Sequence, residues 1–167
     1  MVLVYHQQME EKIGLGGGCH WCTEGVFQSL IGVAQVEQGW ITSNGDNASP
    51  SEAIIVHFNP DVISLEVLID IHLLTHSSAS SHSMRGKYRS AFYTFDKNQL
   101  GTIKSSIDSK NQEGQGIITQ ILPFVSFELN KEEFLNYYQT RKEAPFCQKF
   151  ISPKLEKLLV SHREFLK

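Results

Sequence analysis

Three consecutive glycines, Gly16, Gly17 and Gly18, separate a short apolar run from the motif CHWC. Neither a helix nor a strand runs cheaply through such a triplet, because glycine gives up more backbone freedom on ordering than any other residue. The triplet marks a joint, where the chain turns sharply or something approaches its backbone closely. Upstream, residues 12–15 suit a short strand. Downstream, residues 19–30 suit a helix with Val26, Phe27 and Leu30 on one side, broken at Gly32. Cys19 then falls at the helix start, where the backbone dipole turns a thiol towards thiolate.

The rest of the chain continues the alternation. Residues 33–40 read as a strand, TSNGDNASPS is dense in turn residues, and residues 52–58 form a β-branched, buried strand. Asn59-Pro60 makes a turn, and Ser64 caps a helix that is apolar on most sides. SSASSHS, residues 77–83, reads as a loop. Residues 90–95 suit a strand, 97–111 a polar helix ended by QEGQG, 117–122 a strand closed by Pro123, and 131–140 a helix. Near the end Ser152 reads as an N-cap with Pro153 at the first helical position. Leu155, Leu158, Leu159, His162, Phe165 and Leu166 follow as one apolar stripe. This order predicts an α+β fold: a two-layer βαββαβ (ferredoxin-like) sandwich, its mixed sheet covered by helices.

At 167 residues the chain is long enough for one domain, residues 1–167, with a full core. Its formal charge is −3 and no cluster of Lys or Arg stands out, which argues against nucleic-acid and membrane-surface partners. No apolar run approaches the roughly 20 residues that span a bilayer. The first residues carry no signal-peptide pattern, so a cytoplasmic protein is expected. Three cysteines in a reducing compartment read as reactive, metal-binding or buried, rather than as a disulfide framework.

Cys19 and Cys22 share a helix face, but only Cys19 meets the positive end, so it is the better nucleophile. Two small buried side chains are the plain alternative. CxxC by itself also fits a thioredoxin-like dithiol site or half of a zinc site. Structural zinc takes four ligands and only one such pair is present, so no metal is expected. On the strand 52–58, Glu52 points the same way as Ile54, Val56 and Phe58. A carboxyl at the mouth of an apolar face holds its proton tightly and suits a general acid; an exposed strand-end glutamate is the alternative. Glu24 lies nearly opposite Cys19 on the helix and reads as structural, answering the dipole or a neighbouring donor.

Residue by residue, GGGCHWCTEGVF resembles the GCFWxxE signature of the methionine sulfoxide reductase A family, with Cys19, Trp21 and Glu24 at matching places. EAIIVHFNPDVISLEVLIDIHLLTH is similar to the family's strand–turn–helix unit, KYRSAFYTF to its QYRSAIY strand, and PFCQKFISPKLEKL to the C-terminal segment of one branch. The similarity runs over roughly residues 12–159. It implies that a Cys19 thiolate attacks the sulfur of a methionine S-sulfoxide, free or in a protein. An acid protonates the oxygen, methionine leaves, and Cys19 remains as a sulfenic acid. A second thiol then closes a disulfide that thioredoxin, or dithiothreitol, reduces. This class of enzyme restores oxidised methionine. The resemblance implies that Glu52 is the acid, that Tyr88 hydrogen-bonds the sulfoxide oxygen, and that Trp21 walls the pocket for the soft substrate methyl. A core tryptophan and a half-buried strand tyrosine are the alternatives.

Three departures stand out. His20 replaces the usual Phe, so it either loosens substrate preference or hydrogen-bonds a different group. The family's tyrosine-bearing loop is shortened to TSNGDNASPS. Its GND segment becomes SHSM, with Ser83 nearest the lost aspartate and His20 and His82 as the polar residues able to compensate. For the resolving thiol, Cys147 after EAPF, in a loop before the last helix, is favoured over Cys22, which a rigid helix holds. A thioredoxin-like dithiol oxidoreductase using Cys19 and Cys22, and a binding domain without turnover, are the competing functions.

Overall fold

The computed structural model describes residues 10–81 and 83–167. Its strands are β1 (Glu11–Gly16), β2 (Val33–Thr42), β3 (Ser51–Phe58), β4 (Ala91–Thr94), β5 (Gln120–Pro123) and β6 (Ser126–Leu129). Its helices are α1 (His20–Gln28), α2 (Leu65–Thr75), α3 (Lys97–Gln112), α4 (Tyr137–Thr140) and α5 (Ser152–Ser161). The sheet order is β5-β4-β1-β3-β2-β6. Its centre, β4-β1-β3-β2, is antiparallel throughout and is the expected βαββαβ unit. β5 adds parallel to β4 by way of α3, and β6 adds antiparallel to β2, which makes the sheet mixed.

Strand alternation divides the core. Ile13 and Leu15 of β1, Ile54, Val56 and Phe58 of β3 and Phe92 of β4 face Val26 and Phe27 of α1 and Leu68 and Ile69 of α2. The opposite face carries a smaller cluster of Ile41, Ala53, Ala91 and Tyr93. Ser64 caps α2, its Oγ accepting from the Val67 N–H, and Asp96 does the same for α3 through the Gln99 N–H. The glycine joint serves close approach. A Cβ on Gly16 would stand 2.8 Å from the Arg89 carbonyl oxygen, and one on Gly17 would strike the His76 ring. Their backbone φ angles lie outside the left-handed region.

The structure departs from the sequence reading in the last third. β6 was not foreseen: its four residues are mostly exposed and alternate weakly. The helix expected over 131–140 is broken into a 3₁₀ turn, Glu132–Phe134, and α4, with Asn136 between them at φ 56. The break has a tertiary cause, since the Glu24 carboxylate receives the N–H groups of Asn136 and Tyr137 at 3.0 and 3.1 Å. Ser152 does not cap α5. It is itself helical, because a π-helical turn, Cys147–Ile151, leads directly into it. Leu155 and Leu158 pack inward, whereas Leu159 is 52% exposed. The expected stripe ends with the helix at Ser161. Phe165 and Leu166 reach the core separately, Leu166 by bridging to Leu30.

Candidate active site

β1 delivers the chain through the glycines to Cys19, the residue that caps α1. The Cys19 carbonyl already accepts from the N–H groups of Cys22 and Thr23, so the helix begins at once. Its half-buried thiol is more acidic than an ordinary cysteine. The Cys22 S–H donates to it, and the N–H groups of Trp21 and Cys22 add to that; burial and the nearby Glu52 oppose them. The same contact makes Cys22 the opposite case. Its proton is tied to the Cys19 sulfur and its thiol is buried, so its pKa rises far above the normal value. Two cysteines one helical turn apart are thus set to opposite protonation states.

Glu52 is the second residue of β3, opposite Trp40, on the helix side of the sheet. It is 8% exposed, and burial raises its proton affinity, with Lys87 and the His20 backbone N–H pulling the other way. Its Oε2 is buried without a hydrogen-bond partner among the described residues. Its Oε1 lies 3.3 Å from His20 Nε2. The Glu52 N–H and the Ser51 hydroxyl both donate to the Lys87 carbonyl, at 2.8 and 2.9 Å, which holds the segment before β4 against β3. This brings in Tyr88, half-buried, with the Lys87 ammonium 5.0 Å from its ring centre.

Trp21 stands in an aromatic cage. Its ring stacks on Tyr137 at 4.2 Å between centroids and on Phe134 at 5.8 Å, and Phe146 meets it edge-on at 5.5 Å. His20 takes no part in this cage. It turns inward, 3% exposed, against Trp40, and its Nδ1 donates to the Gly39 carbonyl at 2.8 Å. Glu24, 1% exposed, answers a neighbouring donor as expected, and by binding the start of α4 it carries Tyr137 onto Trp21.

Cys147 corrects its expected setting. It lies in the π-helical turn rather than a loop, fully buried in an apolar cluster with Cys22 and Ile151 against which Cys19 also packs. Burial raises its pKa. All three thiols are free. Among the described residues no group of three or more His, Cys, Asp or Glu side chains is arranged to hold a metal ion. His82 and the side chain of Ser83 lie outside the described residues.

The sequence reading missed Lys87, Asn130, Tyr137 and Phe146. Lys87 had a signal, standing where the QYRSAIY strand has Gln. The two aromatic residues lay in a segment read as helix and loop, with nothing local to aim them at Trp21.

An activated thiol beside a buried carboxyl, on a ferredoxin-like sheet, defines a thiol-based redox domain. The chain belongs to the peptide methionine sulfoxide reductase family, whose model matches residues 11–165. It is 31% identical to the peptide methionine sulfoxide reductase MsrA of a Psychrobacter species, over 93% of this chain and 98% of that one. The fold is similar to the Saccharomyces cerevisiae Mxr1 crystal structure in reduced form (TM-score 0.72, 20% identity, 87% of this chain and 93% of that one). It also matches Mxr1 in complex with Trx2 (TM-score 0.60, 20% identity, 78% and 87%). Among the described residues no helix is long and apolar enough to cross a membrane.

Proposed function

We propose that this chain reduces methionine S-sulfoxide, free or in proteins, to methionine. The observation that carries the reading is the acidified Cys19 thiol at the start of α1 beside a Glu52 carboxyl whose proton affinity burial raises. The Cys19 thiolate attacks the sulfoxide sulfur while Glu52 gives its proton to the oxygen. Methionine departs, Cys19 is left as a sulfenic acid and Glu52 as a carboxylate. Tyr88 hydrogen-bonds the sulfoxide oxygen, and Trp21, with the aromatic residues packed on it, walls the pocket for the substrate methyl.

A second thiol then displaces water from the sulfenic acid and forms a disulfide. Cys147 is the resolving residue: it shares an apolar cluster with Cys19, and a π-helical turn is less stable than the α-helix that holds Cys22. The turn must open for the sulfurs to bond, since a disulfide fixes its sulfurs about 2 Å apart. Thioredoxin then reduces the disulfide, a partner supported by the complex of Mxr1 with Trx2, and dithiothreitol replaces it in vitro. No other cofactor is needed. The compartment proposed with this chemistry is the cytoplasm, where thiols are kept reduced.

The test supplies a methyl sulfoxide with dithiothreitol and measures sulfide. Wild type produces it, and Cys19→Ser does not. Equal turnover by the two refutes the reading. Mass spectrometry after one equivalent of sulfoxide identifies the cysteine joined to Cys19, and a Cys19–Cys22 bond would remove Cys147 from the role.

A further inference from the structure

We propose that His20 is a positioning residue for the reaction: its Nε2 accepts the Glu52 hydroxyl and thereby holds the proton that Glu52 delivers. The inference rests on the reductase reading and adds a residue that works through Glu52.

The direction of every bond behind the ring is fixed. His20 Nδ1 sits 2.8 Å from the Gly39 carbonyl, which can only accept, so Nδ1 carries a proton. On the other side Asn130 Nδ2 approaches Nε2 at 3.4 Å. The Asn130 amide cannot be turned round, because its Oδ1 accepts from the Lys131 N–H at 2.8 Å. Its Nδ2 also donates to Gln38 Oε1 at 2.7 Å, and Gln38 in turn donates through Nε2 to the Phe134 carbonyl at 3.0 Å. Only donors therefore stand behind Nε2. A proton on Nε2 would face the Asn130 N–H, so this nitrogen offers a lone pair. Burial acts in the same direction by disfavouring the charged ring.

Glu52 Oε1 lies 3.3 Å from the same Nε2. A carboxylate there would oppose one acceptor to another, whereas a carboxylic acid can donate. The separation is longer than a formed hydrogen bond, as catalytic contacts often are before substrate closes a site. Oε2, with no partner among the described residues, is left for the sulfoxide. The charged groups facing the pair are Cys19 from the start of α1 and Lys87 from the segment before β4; Trp40 of β2 and Asn130 after β6 carry no charge. Where the family usually has Phe, this chain thus carries an acceptor that its acid shares with the Asn130 N–H.

The test is a pH titration of the Glu52 carboxyl by infrared difference between each protein and its Glu52→Gln counterpart, run beside the pH dependence of kcat/KM. In His20→Phe the carboxyl midpoint and the alkaline limb of kcat/KM both fall by about 0.5–1 pH unit, the size of one hydrogen bond. His20→Gln, whose amide oxygen can accept, restores most of the shift. His20→Leu, which also lacks the acceptor, lowers the carboxyl midpoint by the same amount as His20→Phe. An unchanged or raised midpoint in folded His20→Phe overturns the proposal; if that variant does not fold, an unchanged or raised midpoint in His20→Leu does so. The infrared titration needs no turnover, so failure of wild type to make sulfide would sink the reductase reading separately.

Discussion

The sheet with α1 and α2, and the chain that follows β6, are built to different standards. In the first, side chains such as Ile13, Leu15, Phe27, Phe58 and Phe92 are fully buried and interlock across two layers. In the second, α4 is four residues long and α5 buries only Leu158 completely. A 3₁₀ turn and a π-helical turn interrupt the path, and a carboxylate from α1 pins it down. The proposed reaction divides along the same line. Cys19 and Glu52 stand on the rigid half, where geometry must be kept. Tyr137, Phe146 and Cys147 belong to the looser half, where on that proposal a wall admits substrate and a buried thiol travels. Local stability follows the density of buried apolar contacts, and moving parts are drawn from the weaker end.

The sharpest way to break this contrast is Phe92→Ala. Emptying a fully buried position between β4 and the helices costs about 3–5 kcal/mol, measured by denaturant unfolding. A loss below about 1 kcal/mol would mean that the sheet is not the rigid half.

Next comes pH. His72 and His76 stack at 4.1 Å beneath the glycine joint, and burial lowers both pKa values, that of His76 to about 4. An unfolded histidine takes up its proton near pH 6.5, whereas folded His76 does so only near 4. The unfolded chain therefore binds more protons between those values. The contribution of His76 is complete above pH 6.5 and is lost as pH falls towards 4, by up to about 3 kcal/mol. Glu24 and Glu52, with raised proton affinity, act in the opposite sense and cancel when wild type is compared with His76→Gln. The variant's stability falls less steeply over this range, and parallel curves would show that the buried pair has no such effect.

Glu24→Ala should divide the molecule. Removing the acceptor of the Asn136 and Tyr137 N–H groups costs about 1–3 kcal/mol. Hydrogen exchange should quicken over residues 131–161 while β1 and β3 stay protected, and KM for sulfoxide should rise as Tyr137 leaves Trp21. Uniform quickening would make the two halves one unit. Last, Val160→Ala at a 91% exposed site should change stability by less than about 0.5 kcal/mol.

Much of the rigid half was legible in the residues. Glycine before CHWC marks the joint, the alternation of EAIIVHF sets which way Glu52 faces, and Ser64 starts α2 where its side chain can cap it. Each of these is a local rule whose partners lie within a few residues. The elements after β6 obey no such rule. Residues 131–140 have helical composition, yet a carboxylate more than a hundred positions earlier captures their N–H groups and breaks them. Ser152 looks like a cap, yet the turn holding Cys147 leaves it nothing to cap.

The sequence by itself determined the α+β alternation, the placement of Cys19 at a helix start and the side of the sheet on which Glu52 lies, because backbone periodicity and capping are short-range. Only the tertiary structure decided that Cys22 donates to Cys19, that Tyr137 covers Trp21 and that His20 turns inward to Glu52 and Asn130. Those outcomes depend on which buried donors and acceptors meet across the fold, and burial makes an unmatched one too costly to leave.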